Sequence, residues 1–270
     1  MSLYKGIVFA GCSFTWGQGL YYYSNVESLK YPEKDSSFII GNLTEYQIKY
    51  MESKRFARIV SNHFDAVEFV SETNGGTDKT TAEYWQKHIG NHKHYPFTDF
   101  SHVIFQLTQP QRSYTTFEIN NKKYSLRPFF DNETNYDLFI KWIEINNLTF
   151  DDWYFLHTKE TLNFVKEKLI YFEENGIKTY VLSWPDEYIP FIYEDEFLFE
   201  RFINFKYKNV IFDSLESLML IPEMKISTDI KHLKREINDD HPSLSCHKLI
   251  AESIINKITS ENVIPTIHPI

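Results

Sequence analysis

Short apolar runs alternate with segments of helical period along most of this chain. Ile7-Val8-Phe9-Ala10 is a continuous apolar run, and residues 5–10 are predicted as a first, buried strand. Residues 51–64 carry Phe56, Ile59, Val60 and Phe64 at three- and four-residue spacing, which predicts a helix with one apolar face. Val67-Glu68-Phe69-Val70 alternates as a strand does. Asn74-Gly75-Gly76-Thr77 then breaks the pattern, and Thr80 to Ile89 reads as a helix that Gly90-Asn91 can end. His102 to Leu107 forms a third strand pattern, closed by Pro110.

The alternation resumes after residue 155. Thr158 to Asn175 is predicted as a helix, with Thr158 as N-cap, Leu162, Val165, Leu169 and Phe172 near one face, and Gly176 at its end. Lys178 to Trp184 is a fourth strand, Glu194 to Phe205 is helical in pattern, and Asn209 to Phe212 is a fifth strand. Residues 244–258 form the last helix, burying Leu249, Ile250, Ile254 and Ile258. Strands alternating with helices predict an α/β domain: a five-stranded parallel sheet with right-handed crossovers and helices on both faces. With no internal repeat, low-complexity tract or linker, residues 1–270 read as a single domain.

Two stretches interrupt the alternation. Residues 16–50 contain Tyr21-Tyr22-Tyr23, Pro32 and Gly41 without clear period; they read as a loop packed by its own rings or as a pocket wall. Residues 111–155 begin as a hairpin, Thr116 to Ile119 and Lys123 to Leu126 around Asn120-Asn121, and continue as an irregular aromatic stretch to Trp153. They read as an insertion able to cap the domain.

Composition narrows the function classes. The 17% aromatic content and 42% apolar content supply a core. A net charge of −9 argues against non-specific nucleic-acid binding or an anionic membrane surface. The two cysteines, Cys12 and Cys246, make no disulfide framework, and no Cys/His cluster has zinc-site spacing. No signal peptide or apolar run of membrane-spanning length is visible, so a cytoplasmic location is expected and the N-x-T sequons at Asn42, Asn132 and Asn147 read as chance matches. Nothing calls for a metal or an organic cofactor. Gly11, Gly17 and Gly19 lack the dinucleotide-loop spacing.

The candidate chemistry starts at Gly11-Cys12-Ser13-Phe14-Thr15, directly after the first strand, where an α/β sheet places its ligands. A serine hydroxyl needs a base and an oxyanion site to act as a nucleophile. Asp239-Asp240-His241-Pro242 and Asn74-Gly75-Gly76-Thr77 are the candidates. Taken singly, Ser13 could be a helix cap, His241 a packing histidine, the aspartates a solvated turn and the glycine pair a simple turn. Cys12, next to Ser13, is expected to be a buried thiol, because neighbouring residues leaving a strand face opposite ways. His247 is expected to have a packing role.

GCSFTWG, the glycine pair after the second strand, and DDHPS before the last helix resemble, in order, the motifs of the SGNH (GDSL-type) hydrolase family. The resemblance spans most of the chain outside the two insertions. The GCSFT form of the block is also similar to phage and viral chains. It implies a flavodoxin-like sheet, Ser13 as nucleophile and His241 as general base. The family places an Asp three residues before the histidine, where this chain has Asn238; Asp239, Asn238 or a Ser13–His241 dyad without an acid remain alternatives, with Asp239 preferred. The resemblance further implies an oxyanion site from the amides of Ser13 and Gly76 (or Gly75). The family's Gly-x-Asn-Asp after the third strand is replaced by Gln106-Leu107-Thr108-Gln109, which aligns Thr108 with the Asn. Asn74, Gly75, Gln109 and Arg112 are possible substrate-binding residues, Arg112 either for an anionic or sugar group or as a salt-bridge partner.

The implied activity is serine-dependent ester hydrolysis through an acyl-enzyme, with removal of a small acyl group from a carbohydrate as the leading substrate class. Acyl transfer from the same site is one alternative. The other is a non-catalytic glycan-binding or structural module that keeps the fold, motivated by Asn238 and the missing oxyanion Asn.

Overall fold

The computed structural model of the chain describes residues 5–24, 43–70, 76–90, 95–127, 133–229 and 239–262. Strand β1 (Gly6–Ala10) runs into a one-turn helix, α1 (Ser13–Trp16), and helices α2 (Glu45–Lys54) and α3 (Phe56–His63) precede β2 (Val67–Val70). Helix α4 (Asp78–His88) leads to β3 (Phe100–Leu107), and a hairpin of β4 (Thr115–Ile119) and β5 (Lys122–Leu126) follows. Helices α5 (Glu133–Ile145) and α6 (Phe150–Glu174) then return the chain to β6 (Lys178–Ser183). Beyond it come α7 (Ile189–Glu194), α8 (Glu196–Arg201), the short strands β7 (Phe205–Tyr207) and β8 (Val210–Phe212), α9 (Leu215–Leu218), α10 (Ile226–Asp229) and the long α11 (Leu244–Asn262).

The protein is an α/β protein whose main sheet has four parallel strands in the order β2-β1-β3-β6. β1 sits inside it and is buried throughout. Its side chains alternate between two cores. Ile7 and Phe9 meet Phe56 and Val60 of α3 and Ile250, Ile254 and Ile258 of α11 on one face. Val8 and Ala10 meet Trp85 of α4 and Leu162, Val165 and Leu169 of α6 on the other. Helices on both faces explain why the strand sequence is an unbroken apolar run rather than an alternating one. On the edge, Glu68 of β2 is held by Arg55 at 2.7 Å and Arg58 at 2.5 Å.

Four expectations are corrected. First, the sheet has four strands, not five. Residues 210–212 pair antiparallel with 205–207 in a separate hairpin, and only isolated bridges, Val181 to Phe202 and Ser183 to Ser214, lie along the outer edge of β6. Val210 and Ile211 are exposed, so that run lacks a covering layer. Second, the single helix expected over 51–64 is two helices. Arg55 is extended between them (φ −66°, ψ 148°), and its side chain is committed to Glu68.

Third, the helix expected to start at Thr158 begins at Phe150. Thr149 caps it, accepting from the Asp152 amide at 3.0 Å while the Asp152 carboxylate accepts from the Thr149 amide at 2.9 Å. Thr158 instead lies mid-helix and donates to the Tyr154 carbonyl at 2.7 Å. The first turns of α6 join α5 and the hairpin in a small core of Phe117, Leu126, Phe139, Ile143 and Trp153, so the stretch read as irregular is largely helical. Fourth, the helix expected over 194–205 breaks at Asp195, whose carboxylate caps α8 by accepting from the Leu198 amide at 3.1 Å.

Other expectations hold. Asn120 and Asn121 take positive φ (51° and 60°), as a two-residue hairpin turn requires. Gly176 (φ 81°) ends α6, and the amide beyond it, of Ile177, reaches back to the Phe172 carbonyl at 3.0 Å. Among the described residues no helix is long and apolar enough to cross a membrane.

If Thr149 is the cap, Thr149→Ala should lower the unfolding free energy by about 1 kcal/mol. Chemical denaturation monitored by circular dichroism reads this; an unchanged midpoint would return the helix start to Thr158.

Candidate active site

β1 delivers the chain to Gly11 at the carboxyl edge of the sheet. A side chain at Gly11 would place its Cβ 2.1 Å from Thr15 Oγ1, so the close turn requires glycine. Cys12 is extended (φ −103°, ψ −154°), and Ser13 opens α1, a single turn closed by Gly17 at φ 79°. The turn is tied to β3: Thr15 Oγ1 donates to Gln106 Oε1 at 2.6 Å, and Gln106 Nε2 donates to Cys12 Sγ at 3.2 Å. Cys12 is fully buried, and burial pushes its thiol above the ordinary value, with the nearby Arg112 charge acting in the opposite sense. It is a packed thiol, as expected.

The partner of Ser13 comes from the far end of the sequence. His241 Nε2 lies 2.9 Å from Ser13 Oγ, across 228 residues, and His241 Nδ1 lies 2.5 Å from Asp239 Oδ1. An ionised carboxylate only accepts, so the ring donates from Nδ1 and its Nε2 accepts the Ser13 O–H. Asp239 reaches the ring from two residues away because the turn folds on itself: the same Oδ1 accepts from the His241 backbone amide at 3.0 Å. The backbone of this segment is pinned to α10 and its approach, with Ile226 N donating to the His241 carbonyl at 3.0 Å and Ser227 N to the Asp239 carbonyl at 3.1 Å. Phe14 packs edge-on against the His241 ring at 5.2 Å.

Gly19 (φ 87°) sits beneath this pair. A Cβ there would come within 2.4 Å of Ile226 and 3.0 Å of Asp239 Oδ2, an oxygen that is buried without a hydrogen bond among the described residues. Just beyond the triad, Ser243 caps α11 by accepting from the Cys246 amide at 3.2 Å. His247 is buried, stacks on Phe56 at 5.7 Å and accepts from the Phe56 amide at 3.2 Å. Burial lowers it to about 3, which fits packing rather than proton transfer.

The remaining candidates follow β2 and β3. Asn74 and Gly75 lie outside the described residues, as does Asn238. Gly76 stands just before Thr77, the N-cap of α4, whose first residue, Asp78, accepts from the Thr108 amide beyond β3. Thr108 is 1% exposed; its amide donates to Asp78 Oδ1 at 2.8 Å, while its hydroxyl is buried without a well-formed hydrogen bond among the described residues. Gln109 starts the next turn, its carbonyl accepting from the Arg112 amide at 3.0 Å. The Arg112 guanidinium lies 5.2 Å over the Trp184 ring, which in turn packs 4.4 Å from Phe14.

Sequence reasoning missed two contributors. Asp78 is fully buried, accepting from the Thr108 amide and from the Tyr188 hydroxyl at 2.7 Å. An acidic residue in a first helical turn reads as ordinary surface charge, which hid it. Burial pushes the Asp78 carboxyl up to about 7, with Tyr188, Thr108 and Arg112 pulling it down. Trp184 had a usable signal, an aromatic at the carboxyl end of a strand. Of the three tyrosines in the described part of the first insertion, Tyr21 lies close enough to Asp239 for that carboxylate to act on its hydroxyl. Tyr21 packs with Leu20 and Met51, Tyr22 stacks on Tyr21, and Tyr23 donates to Asp229 at 2.5 Å, which favours the packed-loop reading.

A cavity of about 720 Å³ opens at the other end of β6, lined by Lys178, Thr179, Arg201, Lys257 and Glu261 among others. Its charges are already paired, Arg201 with Glu173 and Lys257 with Glu261, and the triad is remote from it.

Two outcomes test this geometry. Gly19→Ala should displace Asp239 and destabilise the fold by about 1 kcal/mol or more, since φ is positive and the space is filled; an unperturbed His241 imidazole resonance by NMR would refute the close packing. For Asp78, the folded chain keeps a proton up to about pH 7, whereas an exposed carboxyl releases it near about 4. The folded state therefore binds more protons across that window, and the Asp78 contribution to stability falls as pH rises through it and is flat above. His102 and His247, held neutral by burial to about 4 and about 3, act in the opposite sense. The wild-type stability minus that of Asp78→Asn isolates the effect and should decline from about pH 4 to about pH 7; a constant difference in denaturation midpoints would contradict it.

No family model, curated protein or solved structure matches this chain, so the reading of the site rests on its residues and their geometry.

Proposed function

We propose that the chain is a serine ester hydrolase of the SGNH type, acting through an acyl-enzyme. The observation that carries this reading is the continuous hydrogen-bonded chain Asp239–His241–Ser13, assembled from opposite ends of the sequence at the carboxyl edge of a parallel sheet. Isolated packing roles for these three side chains do not require them to be hydrogen-bonded in series or to sit at that edge. The strand order supports the flavodoxin-like kinship in its first four positions, with single bridges beside β6 where a fifth strand would lie.

In this mechanism Ser13 Oγ attacks the ester carbonyl while its proton passes to His241 Nε2. Asp239 holds the ring's Nδ1–H and stabilises the imidazolium that forms. The tetrahedral oxyanion is taken by the amides of Ser13 and Gly76 and by the Thr108 hydroxyl, a buried donor that has no well-formed partner of its own among the described residues. His241 then returns the proton to the departing alcohol. Water, activated by the same ring, attacks the acyl-Ser13 carbonyl and releases the acid. A hydroxyl is a shorter donor than the amide of the family's Asn, so Thr108 predicts a slower or narrower enzyme; loss of one such donor costs about 100- to 1000-fold in rate. Removal of a small acyl group from a carbohydrate remains the substrate class we favour. Its support comes from Trp184, a partly buried aromatic that packs on Phe14, the ring against His241.

A fluorophosphonate probe read by intact mass tests the proposal. Wild type should take a single label, Ser13→Ala none, and His241→Ala and Asp239→Ala should react slower by on the order of 100-fold or more. A folded wild type that takes no label would instead favour the non-catalytic binding module.

A further inference from the structure

The triad does not use Arg112, yet that side chain is held in an unusual state. Its Nε and Nη1 atoms are sealed from solvent and make no hydrogen bond among the described residues. Nor does Arg112 form an ion pair with any described carboxylate. A guanidinium is always charged, and leaving its buried N–H groups unmatched is costly. The Arg112 charge acts on the Asp78 carboxyl, but the well-formed hydrogen bonds that Asp78 accepts come from the Thr108 amide and the Tyr188 hydroxyl, not from Arg112.

Its position is defined by its neighbours. The guanidinium lies over Trp184, Trp184 packs on Phe14, and Phe14 packs on His241. Its charge acts on Cys12, the residue before Ser13, and on Asp78. Arg112 is thus linked to His241 through two ring contacts, Trp184 and Phe14. Stacking on an indole fixes the plane of a guanidinium and leaves its edges to hydrogen-bond. Thr108, a few residues earlier on the same connection, adds a buried hydroxyl that lies by Asp78 and makes no well-formed hydrogen bond among the described residues. The chain as a whole is acidic, with a net charge of −9, so an unneutralised cation at this edge is not part of a general basic surface.

We propose that Arg112 is the substrate-anchoring residue of this site and that the ester it takes carries a carboxylate, as an acylated acidic sugar does. The carboxylate accepts from the Arg112 guanidinium beside Trp184, displacing the neighbours that seal its Nε and Nη1, while the ester carbonyl lies at Ser13. This rests on the hydrolase reading for the role of the ester, but the carboxylate anchor itself does not require turnover. It turns the choice left open by the sequence, anion site or salt bridge, towards the anion.

The test uses glucuronate and succinate as carboxylate probes and glucose as the neutral control, in two measurements. In the first, each probe competes with fluorophosphonate labelling, and the ratio of rates with and without probe is taken within each protein. Both carboxylates should slow labelling of wild type at millimolar concentration, glucose should not, and the protection should weaken with added salt. Arg112→Gln should lose at least tenfold in apparent affinity for the carboxylates, and Arg112→Lys should keep part of it. In the second, calorimetry on Ser13→Ala, with and without Arg112→Gln, measures carboxylate binding without any chemistry. If wild type takes no label, the hydrolase reading fails, and calorimetry still decides the anchor. Equal effects of glucuronate and glucose, or carboxylate binding untouched by Arg112→Gln, would overturn the proposal and leave Arg112 a packing residue on Trp184. Should Arg112→Gln fail to fold, the salt dependence of wild type and the affinity of Arg112→Lys decide the same question.

Discussion

Burial of β1 on both faces is the constraint from which the site follows. Its alternating side chains belong to two separate cores, Ile7 and Phe9 to one and Val8 and Ala10 to the other. A strand clamped in this way cannot slip by one residue without exchanging the two sets of contacts. Its end is therefore fixed, and Gly11, Cys12 and Ser13 leave the sheet at a defined height and direction. The link from Thr15 to Gln106, and from Gln106 to Cys12, locks the exit turn to β3. Ser13 is presented by the rigid centre of the fold, although it sits in a turn.

The other half of the site is positioned by different means. His241 is carried by a segment whose backbone is pinned to the approach of α10 and whose following helix, α11, is buried against the same core as α3. Two independently anchored pieces meet at one hydrogen bond. The Asp239 carboxylate serves twice, closing the turn at the His241 amide and orienting the ring. This double use explains how an acid only two residues before the histidine reaches the ring.

A second layer of buried polar groups supports the edge of the site. Asp78 ties the start of α4 to the connection after β3 and to Tyr188. Holding a carboxyl in a fully buried place raises its proton affinity, and the two hydrogen bonds it accepts offset only part of that cost. The same connection carries the Thr108 hydroxyl and the Arg112 Nε and Nη1 groups, which are buried without a well-formed hydrogen bond among the described residues.

Periodicity alone determined the main elements: the apolar runs at 7–10 and 102–107 and the helical faces at Phe56 and Ile250 are local patterns that any α/β packing would use. Motif order pointed to Ser13 and His241, because a strand end and a helix start are readable from neighbouring residues. Tertiary structure decided the rest. Whether 210–212 joined the sheet depended on the layer available to cover it, and Val210 and Ile211 are left exposed. The start of α6 depended on Trp153 finding the core of the inserted hairpin, which outweighed a plausible cap at Thr158. The choice of Asp239 depended on a turn closing over two residues, and the roles of Asp78 and Trp184 on contacts between segments far apart in the chain. Hydrophobic period is a property of each segment by itself, whereas burial, charge pairing and the partner of a given donor belong to the packed whole.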